Sequence, residues 1–391
     1  MDFVIKGRSS IFIKEEVTEG TYIAPVATSE AIEVLEDFTG FDYSRNTVNS
    51  KVLSATVESK APRNGLPEVS GSLPTEFKAG ATEGAAPRSD LLLKSLLGDK
   101  RNVASAVTSS TGHSTTVINL ADADINKFKA GDSVLIKKTG AHCIRPIASV
   151  SNSLGAANIT LAIPAPYTPP NAVVIAPVTT YFFGEDEPSL SISAELGGVI
   201  TEKAAGCKVE TAEIGNWTTG EIPEISFSMK ALSLDKIDSV SGLEPDFSAE
   251  PQPPVALNAC AYIDGVELDY NEFSLSIANT IAELKSACKL SGKVGSRKTK
   301  LLVTGSINPY METDNVDRFD KFKDSTPVSL FVHIANPASV AGEYENVGAI
   351  WLPQVVFTSV KNGDEEGSLT DELEFQAYKE AGNDTIFMSF I

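Results

Sequence analysis

The 391-residue sequence predicts a mainly β protein: two tandem β-sandwich or barrel units, each with one short helix, plus a small inserted β unit. Three observations lead there. Helical periodicity is scarce, while short alternating runs bounded by Gly, Pro, Asn and Asp recur along the chain. The order of those runs repeats in the two halves. One segment, residues 101–182, falls outside the repeat and differs from the rest in charge.

Residues 1–42 hold nine acids and three bases, with alternating apolar positions around Val4, Ile11 and Ile13. They read as an extended arm that completes a sheet of the first unit or of a neighbour. Strands are expected at Val69–Phe77, Val134–Lys138, Ile159–Ile163, Ser189–Glu195, Ile225–Ala231, Glu272–Ile277, Leu301–Ile307, Val328–Ile334, Gln354–Val360 and Leu373–Tyr378. Two segments have helical character. In Ser89–Leu97, Ser89 can cap, Asp90 suits the positive end, Leu91, Leu92, Leu96 and Leu97 form the buried stripe, and Gly98 ends the helix. In Asp314–Phe322, Thr313 can cap and Val316, Phe319 and Phe322 form the apolar face.

The repeat is read from self-comparison. Val69-Ser70-Gly71-Ser72 resembles Val303-Thr304-Gly305-Ser306 at an offset of 234 residues, and each precedes one of the helices. Ser189-Leu190 matches Ser329-Leu330 at 140, Gly206 matches Gly348 at 142, and Ile225-Ser226-Phe227 matches Leu373-Glu374-Phe375 at 148. The fall in offset leaves roughly 90 extra residues in the first copy, which are residues 101–182. That segment carries six bases and three acids, so its charge is +3 within a chain of −20. It reads as a small barrel or sandwich mounted on the surface, because insertions survive at exposed loops. The expected organisation is an arm (1–42), a first unit (43–100 with 183–245), the insert (101–182), a proline-rich linker (246–267) and a second unit (268–391).

The excess of 52 acids over 32 bases argues against a surface that grips nucleic acid, since each phosphate contact needs a Lys or Arg. Cys143, Cys207, Cys260 and Cys288 lack metal or redox spacing and read as free buried thiols in a reducing cytosol. The N-terminal stretch has no apolar run of signal-peptide length, and no window approaches a membrane span. Catalytic patterns are missing. His113, His142 and His333 form no HExxH, no GxSxG is present, and Gly292-Lys293 lacks the glycine and hydroxyl of a phosphate loop. His142 beside Cys143 would point to the opposite face of a strand. No cofactor, metal or catalytic residue is assigned. Two acidic groups, Glu185-Asp186-Glu187 and Asp364-Glu365-Glu366, lack the spaced oxygens of a calcium loop and read as solvated turns, with cation binding the lesser alternative, and as candidate interface or lumen turns. One basic group stands apart: Lys285, Lys289, Lys293, Arg297, Lys298 and Lys300, opposed in sequence only by Glu283. It reads either as a flexible, solvated hairpin or as a loop that docks on an acidic patch of a neighbouring subunit, while nucleic-acid contact lacks the interleaved aromatics that would support it.

Several stretches together resemble the major tail tube proteins of long-tailed, non-contractile (siphovirus-type) bacteriophages, in a form with two tube domains. They are Glu19-Gly20-Thr21-Tyr22, Pro67-Glu68-Val69-Ser70-Gly71-Ser72 followed by Ser89–Gly98, and Phe273-Ser274-Leu275-Ser276-Ile277-Ala278-Asn279. The closing part adds Val303-Thr304-Gly305-Ser306, Gly363-Asp364-Glu365-Glu366-Gly367, Leu373-Glu374-Phe375-Gln376-Ala377 and Ala381-Gly382-Asn383-Asp384. The resemblance covers the chain outside residues 101–182, which the minimal family fold lacks. It implies a non-enzymatic virion protein, made in the host cytoplasm, whose domains pair sheet edges into a six-domain ring. Two fused copies then close the ring as a homotrimer, and stacked rings conduct double-stranded DNA. Tape measure, tail terminator and tail tip proteins are the implied partners, with no membrane contact. The rival expectations are a tube of a contractile tail or secretion system, usually single-copy and sheathed, and a β-sandwich surface adhesin.

Overall fold

The computed structural model describes residues 6–49, 61–153, 156–289, 292–312 and 316–391, and is mainly β. The chain opens with β1 (Ser10–Glu15), β2 (Ala31–Ile32), β3 (Phe41–Val48), β4 (Arg63–Glu76), helix α1 (Asp90–Leu97) and β5 (Gly98–Val103). A separate six-stranded sheet follows, with β6 (Val107–Thr108), β7 (Val117–Asn119), β8 (Ser133–Lys137), β9 (Cys143–Ser153), β10 (Ala156–Leu161) and β11 (Val174–Ile175). The path returns through β12 (Val178–Phe183), β13 (Leu190–Leu196), β14 (Ile200–Thr218), β15 (Glu224–Ala231) and β16 (Ser233–Ile237). The second half holds β17 (Ala259–Ile263), β18 (Val266–Leu268), β19 (Tyr270–Lys285), β20 (Lys293–Pro309) and helix α2 (Val316–Lys323). It ends with β21 (Val328–Pro337), β22 (Tyr344–Glu365), β23 (Ser368–Ala377) and β24 (Phe387–Phe390). Val4 lies outside the described residues.

Strand pairing follows one order in both halves. β3 pairs β4, β4 pairs β15, β15 pairs β14 and β14 pairs β13. In the same way β19 pairs β20, β20 pairs β23, β23 pairs β22 and β22 pairs β21. β14 also pairs β19, with Ala212 opposite Ile277 and Ile214 opposite Leu275. The result is one antiparallel arc in the order β3-β4-β15-β14-β19-β20-β23-β22.

The register refines the sequence alignment. Gly71 lies opposite both Phe41 and Met229, and Gly305 opposite both Leu275 and Phe375. Leu190 pairs Cys207 as Val328 pairs Val355, and a one-residue irregularity follows Val209 in β14 and Phe357 in β22. The offset of 234 therefore holds between the VSGS and VTGS strands. The other offsets are 138, 148 and 146, where self-comparison suggests 140, 142 and 148. Two of the differences are slips of two residues, which leave every side chain on its own face and so escape a pattern of period two. Gly206 is displaced by more because it sits in a bulge with φ 66°, where a Cβ would lie 2.7 Å from the Leu232 side chain. The recurring Gly71 and Gly305 make room for aromatic rings: a Cβ would lie 2.5 Å from Phe41 in one and 2.6 Å from Phe375 in the other.

Alternation sends one face of the arc into the main core, which holds Leu73, Trp217, Phe227, Phe273 and Phe375. A second layer covers it. β1 joins β13 and β2, β16 joins β14, β17 joins β21, and β24 joins both β22 and β12. In the second half this layer is buried on both sides. Leu330, Val332, Ile350 and Met388 face the main core, whereas Phe331, Trp351 and Phe387 share a second core with Val134 and Ile147 of the six-stranded sheet and with Phe128, which precedes β8. The inserted segment leaves the first half but shares a core with the second, so it is less detached than its surface mounting in the sequence reading. At this contact Arg145 lies 4.8 Å over Tyr262 and donates to the carbonyls of Pro164 (3.0 Å) and Ile144 (2.7 Å). His333 stacks on Tyr262 at 6.1 Å, and burial, with nearby Arg145, pushes its pKa down to about 3.

Both helices differ in detail from expectation. In α1 the buried leucines are Leu92, Leu93, Leu96 and Leu97, with Leu91 only half-buried. The Ser89 hydroxyl makes no capping bond, and Asp90 accepts hydrogen bonds from Tyr181 (2.6 Å) and Lys100 (2.6 Å). Gly98 does end the helix, with φ 108°. In α2, Thr313 and Asp314 lie outside the described residues. Phe322 packs on the core, but Phe319 is 54% exposed, and Arg318 is the residue buried instead, paired with Asp371 at 3.0 Å. Of the thiols, Cys143 and Cys207 are buried, Cys260 is half-buried and Cys288 is exposed.

Two stability predictions follow from this packing. Gly305→Ala places a methyl 2.4 Å from the Ser274 carbonyl oxygen. It is expected to cost about 1–3 kcal/mol, read as a lower urea midpoint at unchanged slope; an unchanged midpoint would contradict the packing. For His333 the folded pKa lies below the ordinary 6.5, so the unfolded chain binds more protons between pH 6.5 and 3. Stability should therefore fall as pH drops through that window, by up to roughly 1.4 kcal/mol per pH unit, and His333→Phe should flatten this limb of the unfolding profile.

Candidate subunit interfaces

Because strand residues alternate, the face of the arc away from the core is set by the polar positions of the same strands. It presents Ser70 and Ser72 of β4, Glu224, Ser226 and Ser228 of β15, Ser274 and Ser276 of β19, Thr304 and Ser306 of β20, and Glu372 and Glu374 of β23. Hydroxyls link neighbouring strands, Ser72 to Ser226 at 3.0 Å and Ser274 to Ser306 at 2.8 Å. A cleft of about 620 Å³ on this face is lined by Glu213, Ser226, Ser274, Ser276, Glu374 and their neighbours. Lys230 pairs Glu210 and Lys361 pairs Glu374, but among the described residues Glu213, Glu224 and Glu272 have no cationic partner. This is a hydroxyl-rich, anionic surface, suited to repelling phosphate rather than to holding it.

The arc ends in two edges. β3 beyond Phe41 and β22 beyond Val355 have no second strand neighbour among the described residues. Each edge also carries an incompletely covered core-facing side chain. Tyr43 is 43% exposed, and Val360 is half-buried against the main core. The matching positions at the β14–β19 junction, Ile277 and Ala212, are fully buried. An uncovered edge of this kind is a template for pairing with another chain.

Register also fixes what lies at the two ends of the strands. The β3–β4 and β19–β20 hairpins turn at one end, and the two touch, since a Cβ on Gly292 would meet the Leu66 side chain. The β14–β15 and β22–β23 hairpins turn at the opposite end.

The basic group divides between these environments. Lys285, Lys289, Arg297 and Lys300 are exposed and have no ion pair among the described residues. Lys293 is buried and paired with Glu283. Lys298 is turned into its own chain, where its ammonium donates to Leu96 O at the C-terminus of α1 (3.1 Å). Burial pushes its pKa down to about 8, Lys208 adding to the effect and Glu187 opposing it.

The first acidic group also divides. Glu185 is exposed and Asp186 lies 3.6 Å from Lys94, whereas Glu187 accepts the backbone N–H of Lys298 at 3.1 Å. Glu19 likewise accepts the N–H of Ser296 at 2.7 Å, so two carboxylates cap the free side of β20. Buried Lys208 lies 3.4 Å from each of them and donates to Ser296 O at 2.6 Å. Glu16 fastens the arm, accepting from Ser189 (2.9 Å), Ser191 (2.8 Å) and the Gly206 amide (2.8 Å). These partners are remote in sequence, so no local pattern marks Glu16, Glu19 or Lys208. The second acidic group is fully exposed. Asp364 accepts the Gly367 N–H at 2.8 Å, and Glu366 and Gly367, with φ of 48° and 88°, form the two-residue turn of the β22–β23 hairpin.

A model of the phage tail tube protein family matches residues 7–377. No curated protein matches the sequence significantly. With a family match across nearly the whole length and a mainly β architecture, the chain belongs to the phage tail tube protein family, whose members have a structural, non-enzymatic role in the tail of the virion.

Proposed function

We propose that this chain is the major tube subunit of a non-contractile tail, that its two halves act as two tube domains, and that three chains close one pseudo-sixfold ring. The observation that carries this reading is the β14–β19 junction. Inside the chain, the outer edge of the first half's arc is completed by the opening strand of the second. Applying the same equivalences to the free edges brings β22 of one chain against β3 of the next. Ser359 then lies opposite Ser44, Val360 opposite Tyr43 and Lys361 opposite Asp42, in place of Thr211–Ala278, Ala212–Ile277 and Glu213–Ser276. This register covers Tyr43 and Val360 and sets opposite charges across the strands, both of which favour pairing.

In such a ring the serine- and glutamate-bearing face lines the bore, and the six-stranded sheet, on the far side of the second layer, projects outward. DNA passes an anionic, hydroxyl-covered wall that offers few cations to hold it. The subunits assemble in the host cytoplasm, and the tape measure, terminator and tip proteins meet the bore and the ends of the tube.

The register is tested by cross-linking. Residues directly opposite on antiparallel strands have Cα atoms about 4.5–5.5 Å apart, within disulfide range. In a Cys288→Ser background, Ser44→Cys with Ser359→Cys is expected to give covalent dimers and trimers and nothing larger on non-reducing gels. Rings that form without cross-linking would refute the register, and a chain that stays monomeric at high concentration would refute the ring. Changing Glu213, Glu224 and Glu272 to Lys is expected to make tubes retain DNA at least about tenfold more strongly in filter binding at low salt, because each added cation can release a counterion.

A further inference from the structure

The two ends of the arc differ in charge. At one end the β19–β20 hairpin exposes Lys285 and Lys289, and at the other the β22–β23 hairpin exposes Asp364, Glu365 and Glu366. The other hairpin of each end agrees in sign, with Arg45 and Arg63 exposed on β3–β4 and Glu221 exposed beside the β14–β15 turn. Both tips also carry uncovered apolar side chains: Leu284 (45% exposed) and Val294 (52%) beside the lysines, and Leu369 (57%) beside the acids. Neither exposed lysine has an acid partner in its own chain among the described residues, although the chain is −20 overall.

We infer that successive rings dock end to end through these tips, the basic β19–β20 hairpins of one copy seating on the acidic β22–β23 hairpins of a second copy; this rests on the tail tube reading above. Opposite signs at the two ends of one chain make the contact heterologous, so it does not close on itself and propagates as a stack. They also disfavour assembly with one ring inverted, since like ends repel. Leu284, Val294 and Leu369 lose solvent contact as the tips meet, adding an apolar component less sensitive to salt.

The test uses the full chain and reads rings and tubes separately, by electron microscopy and by sedimentation. The K285E/K289E variant and the D364K/E365K/E366K variant are each expected to form rings but lose sedimentable tubes. Mixing the two ring preparations should restore tubes, because each reversed end then meets its complement. Sedimentable tubes from either variant alone, or intact rings that do not stack on mixing, overturn the inference; DNA binding lost from K285E/K289E while its tubes persist would do the same and reassign the basic tip to nucleic acid. Should a variant fail to form rings, the unmodified protein decides: tubes that fall apart into rings in about 1 M NaCl support the contact, and tubes unchanged there overturn it. Absence of rings from the unmodified protein counts against the tube reading itself.

Discussion

Pairing of β14 with β19 is the contact on which the rest of this molecule depends. It joins the β14 edge of the first half's arc to β19, the first arc strand of the second half, and so makes a single curved sheet from two. Ala212 and Ile214 on one side and Leu275 and Ile277 on the other are fully or almost fully buried, and the main core continues across the junction without a break. Three features follow from that join: a continuous face rich in Ser, Thr and Glu, two edges left at the ends of the arc, and hairpins at either end of its strands.

The two longest-serving strands explain how an arc can be backed by a second layer. β14 and β22 each take part in both, pairing β13 or β21 with their N-terminal halves and β15 or β23 with their C-terminal halves. In each, the one-residue irregularity after Val209 or Phe357 lies near the crossing, as expected where a bulge adds bend and twist. The inserted sheet then occupies the only side of the second half's outer layer that the core does not use, and its aromatic contacts with Phe331, Trp351 and Phe387 tie it down.

The large negative charge has several separate structural uses. Glu16 satisfies arm and strand donors, Glu19 and Glu187 terminate the edge of β20, Asp371 holds Arg318, and the face of the arc away from the core carries Glu213, Glu224 and Glu272 without cationic partners among the described residues. Composition shows only the sum. Edge capping by carboxylates also bears on solubility, since an uncapped β20 would present another free edge.

Alternation and turn residues determined by themselves that the chain is mainly β, where strands such as β4, β8, β13, β15 and β21 lie and where α1 ends, because those properties depend on neighbours one or two residues away, whereas β14 was not among the expected strands. The repeated Val-x-Gly-Ser strands were legible for the same reason. Only the tertiary structure decided register, since a slip of two residues leaves the pattern intact, as at Leu190 and Met229. Only it decided that Arg318 rather than Phe319 is buried, that Lys293 and Lys298 turn inward while Lys285 and Lys289 stay exposed, and that the insert rests on the second half. Those outcomes depend on partners well outside the local period, 10 residues away for Lys293, 53 for Arg318 and 202 for Lys298, and alternation over one or two residues carries no record of them.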